Sequence, residues 1–459
     1  MAFLFKNSGN YYSKFNLLIK IMEKPAFKEA LKFWTKLGFI SFGGPAGQIA
    51  IMHEFLVDRK KWISNSRFFH ALNYCMILPG PEAQQLAIYI GWLLHGKKGG
   101  FAAGILFFLP SMFILLALSI IYVLYGNLPW VNALFDGVKP AVIAIVLLAL
   151  LKIAKRSLKS YFHYFVAACA FISIFFFNIP FPLIIVSAVV LAAIIRKFLP
   201  GIFHNKNASS DLRIEREEDY YLNQNSLSPL SDFKFSNLLK QVFVTFVLWA
   251  LPLFIFFKFA NDFKFWNDLS LFFTKAALVT FGGAYAVLPY VAQVSVEQLN
   301  WLDELQMIDG LALGETTPGP LIMVLSFVGF MAGYNHFNGS LLMGTFAMAT
   351  TVFYTFLPCF LFIFAGAPIM EKTQENKKVK EILEIVIAAI VGVILNLTIF
   401  LGKAVLFPKG ISFDSIHYIS LGWLIISVVA LYHYKINMVK WIALSAIFGL
   451  CSYLISTLT

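Results

Sequence analysis

Long apolar stretches with very few charges constrain this chain more than any other feature. One of them runs from Leu238 to Phe257, and of all 459 residues 59% are hydrophobic and only 13% are charged. A soluble domain carries about 25% charged residues, so this chain has too little polar surface to cover a globule in water. The stretches suit helices that cross ~30 Å of hydrocarbon, and they lack the alternation of a membrane β-barrel. The sequence therefore predicts an all-α integral membrane protein.

The net charge of +12 does not indicate nucleic-acid binding, because membrane proteins concentrate lysine and arginine in their cytoplasmic loops. We therefore expect the lipid bilayer, and no nucleic acid, as a partner. The 4 cysteines and 8 histidines show no metal-ligand spacing. The sequence predicts no metal, no cofactor and no enzyme chemistry.

An internal repeat divides the chain into two halves. Three motifs recur at one offset, 281 − 42 = 239 residues: Phe42-Gly43-Gly44 as Phe281-Gly282-Gly283, Trp62 as Trp301, and Pro79-Gly80-Pro81 as Pro318-Gly319-Pro320. Duplicated halves at such long separation are typical of secondary transporters.

Each half contains two apolar segments that glycine or proline interrupts in the middle. These segments are Phe27–Val57, Phe68–His95, Leu269–Val296 and Leu305–Tyr334. Each could cross the membrane once, or fold back as a re-entrant hairpin of two half-helices that reach the midplane. Loop charge favours hairpins and an inverted second half, because the basic Arg59-Lys60-Lys61 loop corresponds to an acidic stretch around Asp303. With hairpins, the uninterrupted spans of the first half are predicted at 101–125, 133–151, 161–177 and 181–196.

These features predict five regions in chain order: a cytoplasmic N-terminal segment (1–26), a first transporter repeat (27–199), a polar cytoplasmic linker (200–237), a connecting transmembrane helix (238–258) and an inverted second repeat (265–459). A cytoplasmic N-terminus places the strongly basic loops inside. We therefore expect a multi-pass protein of the cell (inner or plasma) membrane. The sequence leaves open whether it forms a homodimer.

The interruptions predict an anion site. Pro45, Pro81 and Pro320 suit the first position of a helix, where a missing N–H costs little, and the neighbouring glycines permit tight turns. A helix N-terminus offers free N–H groups and about half a positive charge to an oxyanion. The alternative is that glycine and proline only kink helices for packing. Because the motifs are paired at one offset, we favour a site, with these candidate residues: Gly43, Gly44, Pro45, Gln48, Pro79, Gly80, Pro81, Glu82, Gln85, Gly282, Gly283, Thr316, Thr317, Pro318, Gly319 and Pro320.

Charged residues lie close to the interruptions in both halves. Lys36 and Lys275 occupy equivalent positions and would bring one cation from each half towards an anion. Alternatively, Lys36 continues a helical stripe from Lys28 and only extends to the membrane surface. Glu82 and Glu315 are candidates for proton coupling, since an intramembrane carboxyl can carry a proton. Glu82 could instead cap its own helix.

Four sequence blocks resemble the signature blocks of the chromate ion transporter family in its two-domain, long-chain form: Ser41–Ile49, Leu78–Leu86, Glu315–Leu321 and Leu357-Pro358-Cys359-Phe360. The resemblance implies secondary active export of chromate, a tetrahedral oxyanion like sulfate, and hence chromate resistance. Sulfate or another oxyanion as the substrate is an alternative, and so is a passive anion channel. A channel would show no dependence on a coupling ion.

Overall fold

The computed structural model describes residues 24–42, 44–198, 220–222, 235–370, 377–408, 410 and 412–458. Gly43, the chain before residue 24 and most of the predicted linker lie outside these residues. The first half contains α1 (Phe27–Ile40), α2 (Gly44–His53), α3 (Asn65–Cys75), α4 (Glu82–Tyr125), α5 (Pro129–Ser157), α6 (Tyr161–Phe177) and α7 (Phe181–Phe198). Helix α8 (Phe235–Phe259) connects the halves. The second half contains α9 (Phe263–Leu278), α10 (Ala284–Ala292), α11 (Glu304–Thr316), α12 (Val324–His336), α13 (Leu341–Met370), α14 (Lys377–Leu406), α15 (Tyr418–Tyr432) and α16 (Met438–Leu458).

The repeat is visible in local backbone geometry as well as in sequence. A π-helical turn at Glu54–Arg59 follows α2, and its counterpart at Gln293–Gln298 follows α10, again 293 − 54 = 239 residues later. Lys61 and Asn300 then adopt left-handed conformations with φ of 51° and 49°. This agreement confirms that the two halves share one fold.

The first broken segment of the chain folds back on itself. At its open end, the Lys60 ammonium forms an ion pair of 2.6 Å with Glu29 at the start of α1. Further in, the rings of Phe33 and Phe55 stack with centroids 4.0 Å apart. Residues early in α1 therefore lie beside residues after α2, so the two arms run antiparallel.

The second broken segment also returns to its starting side. His95 lies at a kink in α4, and its Nε2 is 2.7 Å from the carbonyl oxygen of Pro25, which precedes α1. The second half repeats the arrangement, with His336 Nε2 2.7 Å from Asp262 Oδ2 before α9. Within the third segment, the rings of Phe265 early in α9 and Trp301 after α10 have centroids 6.2 Å apart, so this segment also folds back. All four broken segments are thus hairpins, and single crossings are excluded by these contacts.

The hairpins define two ends of the molecule, which we call the Trp62 face and the Trp301 face. Residues 220–222 of the linker lie on the Trp62 face, because Ser64 N–H donates to the carbonyl of Leu222 at 2.8 Å and Leu222 N–H donates to that of Trp62 at 3.1 Å. Between the kink at His95 and Leu222, the chain crosses from one face to the other in α4 beyond its kink, and again in α5, α6 and α7. Helix α8 then crosses once more, so the second half starts on the Trp301 face and is inverted.

The two halves exchange helices to form one core. Helix α5 packs against α15 and α16 of the second half, and α14 packs against α6 and α7 of the first. Gly137 and Gly449 lie backbone to backbone at the α5–α16 crossing, where a Cβ on either would overlap the other helix. Small residues allow such close approach, which drives helix packing in membranes.

The inversion makes a labelling prediction at two matched positions. Arg59 and Gln298 are exposed residues at the same place in the two π-helical turns. Cysteines at these positions, in a variant without the natural cysteines, should react with an impermeant maleimide from opposite sides of the membrane. His433→Cys serves as the control and should label together with Arg59→Cys, because its loop lies on the Trp62 face. Labelling of Arg59→Cys and Gln298→Cys from one side would refute the inverted topology.

Candidate functional site

The tips of the four hairpins meet through a pair of reciprocal backbone hydrogen bonds. Gly80 N–H donates to the carbonyl of Thr280 at 2.7 Å, and Gly319 N–H donates to the carbonyl of Ser41 at 2.9 Å. Both partners of one bond are shifted by 239 residues from those of the other. Each half therefore joins its first hairpin to the second hairpin of the other half, and the predicted convergence of the four tips is what the structure contains.

Ser41 and Thr280, which follow α1 and α9, are each held by a hydrogen bond from their side chain to the preceding helical turn. Ser41 and Thr280 are fully buried, and their hydroxyl groups donate to the carbonyls of Leu37 at 2.5 Å and Ala276 at 2.6 Å. A hydroxyl has a single proton to donate. These two groups hold the tips in place and have no further proton for an anion.

Four of the predicted polar residues also use their donors within the protein. The Gln48 and Gln85 amides donate to the carbonyls of Gly319 and Pro79, both at 2.6 Å. The hydroxyls of Thr316 and Thr317 donate to carbonyls one turn back in α11, at 2.9 and 3.0 Å. Their role as anion ligands stays a prediction, but in this conformation they stabilise the tips.

The tip glycines fall into two pairs with different environments. Gly80 and Gly319 have φ of 121° and 101°, and an added Cβ would lie within 3 Å of Cys359 or Ser111. Gly44 and Gly283 have φ of 71° and 99°, but nothing lies within 4 Å of a Cβ there. The first pair thus permits close packing, and the second leaves open space beside the N-termini of α2 and α10.

Proline positions differ slightly from the sequence prediction. Pro81 and Pro320 immediately precede the helical turns that begin at Glu82 and Leu321, and Pro45 is the second residue of α2. Pro79 and Pro318 lie in the preceding turns, outside any helix. The prolines still mark the starts of second half-helices, whose first N–H groups have no partner within the helix.

One of the two predicted carboxyl groups is enclosed in the protein. Glu315 is 6% exposed, and its Oε1 accepts a hydrogen bond of 2.6 Å from the hydroxyl of Tyr285. This bond joins the end of α11 to the first turn of α10, so it links the two tips of the second half. Glu82 lies at the N-terminus of α4 and is partly exposed. Tyr285 was not predicted, because its repeat equivalent is Ala46.

The predicted lysines lie on opposite sides of the tips. Lys36 and Lys275 are both exposed, and in the described part of the chain neither ammonium forms an ion pair. Each lies five residues before the buried hydroxyl residue at its tip, a rise of about 7.5 Å. Because the halves are inverted, Lys36 approaches the tips from the Trp62 face and Lys275 from the Trp301 face.

A third cation near the tips was not predicted. The guanidinium of Arg156 is 4.0 Å from the sulfur of Met76 and near enough to Glu82 to act on it electrostatically. The predicted span ended at residue 151, whereas α5 continues to Ser157 and carries Arg156 along. Arg156 follows the predicted end of this apolar span by only five residues, and this closeness could have indicated that the helix carries the arginine.

The two halves are not equally closed around the tips. Gln48 and Met52 are the buried residues of α2, whereas every residue of α10 except Tyr285 is buried. Helix α10 packs along α14, and α2 has no comparable packing against α5, the counterpart of α14. Side chains of α14 also approach Gly282. Helix α10 is therefore covered by the protein and α2 is largely uncovered, while the space on the Cβ side of Gly283 stays open.

Inverted halves whose broken helices meet at one central point, within a largely apolar helical chain, define a multi-pass membrane transporter. The family model for chromate transporters matches residues 28–194 and 267–450, which are the two halves. The chain belongs to the chromate transporter family.

Several curated relatives share most of the chain. The chromate transport protein of Pseudomonas aeruginosa is 31% identical over 382 residues, covering 81% of this chain and 80% of that protein. The chromate transport protein of Cupriavidus metallidurans is 27% identical over 380 residues, 82% of each chain. A probable chromate transport protein of Synechococcus elongatus is 27% identical, covering 84% of this chain and 87% of that protein. No solved structure matches the chain.

Proposed function

We propose that this protein exports chromate from the cytoplasm by secondary active transport and so gives chromate resistance. The names of the full-length relatives support chromate as the substrate.

The protein resides in the cell membrane with a cytoplasmic N-terminus. Its charge distribution supports this orientation, since basic residues gather on the Trp62 face and acidic ones on the Trp301 face: Lys60, Lys97, Lys98, Lys152, Lys155 and Lys159 against Asp262, Glu297, Asp303 and Glu304.

The observation that carries the proposal is the meeting of helix N-termini from both halves beside uncovered glycines. Gly44 and Gly283 have no atom within 4 Å on the Cβ side, so an anion can approach the backbone there. Unpaired N–H groups and the helix dipole favour negative charge at such ends. The tetrahedral oxyanion would accept hydrogen bonds from the backbone of both halves.

The difference between α2 and α10 supports an alternating-access mechanism. In this conformation α2 is uncovered, on the side we assign to the cytoplasm, and α10 is covered by α14 on the other. In the opposite state α2 would close on α5 while α10 leaves α14, because inverted repeats can exchange conformations. Moving one unit charge across 100 mV is worth ~2.3 kcal/mol, so an inside-negative potential favours exit of a dianion by roughly twice that amount.

A flux experiment tests the proposal. Labelled chromate should accumulate in inside-out vesicles that contain the protein, with the pH gradient and the voltage imposed separately. Accumulation should disappear when both gradients are removed, and vesicles without the protein give the background. Rapid flux that follows the voltage and the chromate gradient but does not depend on the pH gradient would instead identify a channel. Transport of sulfate, with chromate acting only as an inhibitor, would identify sulfate as the substrate.

A further inference from the structure

A group of charged residues lies inside the protein between α5 and α11, away from the hairpin tips. Lys139 and Asp309 are buried, and the Lys139 Nζ is 3.9 Å from Asp309 Oδ1. The same ammonium is 2.8 Å from Oδ1 of Asp136, whose side chain is 66% exposed. Tyr122 at the end of α4 donates to Asp309 Oδ2 at 3.0 Å. Charged residues inside a membrane protein are costly and typically functional.

The hydrogen-bonding capacity of the Asp309 carboxyl group is only partly used in this environment. Its Oδ1 is buried and accepts no hydrogen bond in the structure. The ammonium that faces it is more than 1 Å closer to Asp136. Burying an ion pair repays its desolvation cost only with good geometry and full hydrogen bonding, but this pair is 3.9 Å long and leaves Asp309 Oδ1 without a hydrogen bond. A structural ion pair would be better formed, so the arrangement suits a carboxyl that exchanges a proton.

Water can reach this group from the Trp301 face. A cavity of about 560 Å³ lies between α5, α15 and α16, with Asn132, Asp136, His417 and Tyr453 among its lining residues. Asp136 borders the cavity and contacts Lys139, and Lys139 in turn faces Asp309. A continuous line of polar groups thus leads from the cavity to the buried carboxyl.

The electrostatic surroundings of Asp309 are limited to a few groups. They are Tyr122 of α4, Asp136 and Lys139 of α5, and Asp303 at the N-cap of α11 itself. Helices α12, α14 and α16 also pack on α11 but contribute no titratable partner among the residues described. Protonation of Asp309 would therefore remove the main attraction that α11 exerts on Lys139 and loosen the contact between α5 and α11.

The group joins residues of both halves, but its buried carboxyl has no equivalent in the first half. Position 309 − 239 = 70 is His70 in the first half, on an exposed turn of α3. On α11, Asp309 precedes Glu315 by six residues, a rise of about 9 Å towards the tips. Because of this asymmetry, proton uptake by the group is one-sided: Asp309 can take up protons from the Trp301 face and not from the Trp62 face.

We propose that the Lys139–Asp309 pair is a proton-binding site open to the Trp301 face, and that its protonation releases α5 from α11 during transport. The inference rests on the proposed function. It adds a coupling site distinct from Glu315 and Glu82, located on the side from which an inward proton gradient acts.

Asp309→Asn tests the site, since asparagine keeps the shape and the bond from Tyr122 but cannot bind the proton. With the pH on the Trp62 side held constant, chromate flux in oriented proteoliposomes should respond to the pH on the Trp301 side in the unaltered protein. We expect that response to fall at least tenfold in Asp309→Asn, while voltage-driven flux persists. Asp268→Asn, on α9 of the same face, is the control and should behave as the unaltered protein.

Three results would overturn the inference. One is an unaltered response to Trp301-side pH in Asp309→Asn, and another is the absence of that response in the unaltered protein. If Asp309→Asn does not fold, Tyr122→Phe is tested instead. Loss of the hydrogen bond from Tyr122 to Asp309 should shift the dependence of flux on Trp301-side pH. An unshifted dependence in Tyr122→Phe is the third result that would overturn the inference. Chromate flux in the unaltered protein is measured in the same vesicles, so a failure of the proposed function itself would be recognised as a loss of all flux.

Discussion

Replacing Glu315 by glutamine is expected to remove most of the dependence of chromate affinity on pH, leaving only the part that the titration of chromate itself causes. The ionised carboxylate opposes binding of a dianion at the tips, so the affinity of the unaltered protein should fall as the pH rises. At roughly 10 Å and an effective dielectric constant of about 20, a carboxylate and a dianion repel by about 3 kcal/mol. We therefore expect a change in apparent affinity on the order of a hundredfold between the two protonation states, and a profile for Glu315→Gln that shows only the titration of chromate itself.

The measurement is chromate affinity at several pH values without a pH gradient. Titration of chromate itself affects all variants equally, so the difference between the profiles belongs to Glu315. Glu304→Gln, at the outer end of the same helix, is the matched control and should follow the unaltered protein. Parallel profiles for Glu315→Gln and the unaltered protein would show that Glu315 is only a structural partner of Tyr285.

Much of the architecture could be predicted because it depends on local residues that occur twice. Glycine and proline interrupt a helix wherever they lie, and their recurrence at one offset indicated two related halves with broken helices. Loop charge then separated hairpins from single crossings, and the ion pair of Lys60 with Glu29 confirms the hairpins. The span predicted at 161–177 coincides with α6, since apolar length alone decides where such a helix lies.

The polar contacts at the site could not be predicted in the same way. Gln48 contacts a carbonyl 271 residues away, and its repeat equivalent is Val287, so symmetry gives no indication of the bond. The same holds for Tyr285 and Glu315. Lys139 is different, because the predicted span from 133 to 151 contained it and Asp136 as two charges within an apolar stretch. Their partner Asp309 lies on a distant segment, and only the packing of α5 on α11 shows it.

Removing the charge of Lys36 or Lys275 is expected to lower chromate affinity about tenfold, and from one side of the membrane only. Both side chains are exposed, so water screens them and the effect stays smaller than for a buried charge. Each lysine should affect binding only from the face on which it lies. Lys36→Met should therefore weaken chromate binding from the Trp62 face, and Lys275→Met should weaken it from the Trp301 face. Methionine keeps an apolar stem of similar length, which preserves packing.

Binding from each face can be measured in oriented vesicles, with Lys32→Met as the control. Lys32 is exposed one turn further out on α1, and its repeat equivalent is Leu271, so a cation there is not a shared feature of the halves. Arginine at position 36 or 275 should restore part of the affinity, because it keeps the charge but differs in geometry. If Lys36→Met and Lys275→Met both bind chromate as the unaltered protein does, the lysines only reach the membrane surface. The anion would then be held by the backbone N–H groups of the tips, with Arg156 as a further cation on the Trp62 side.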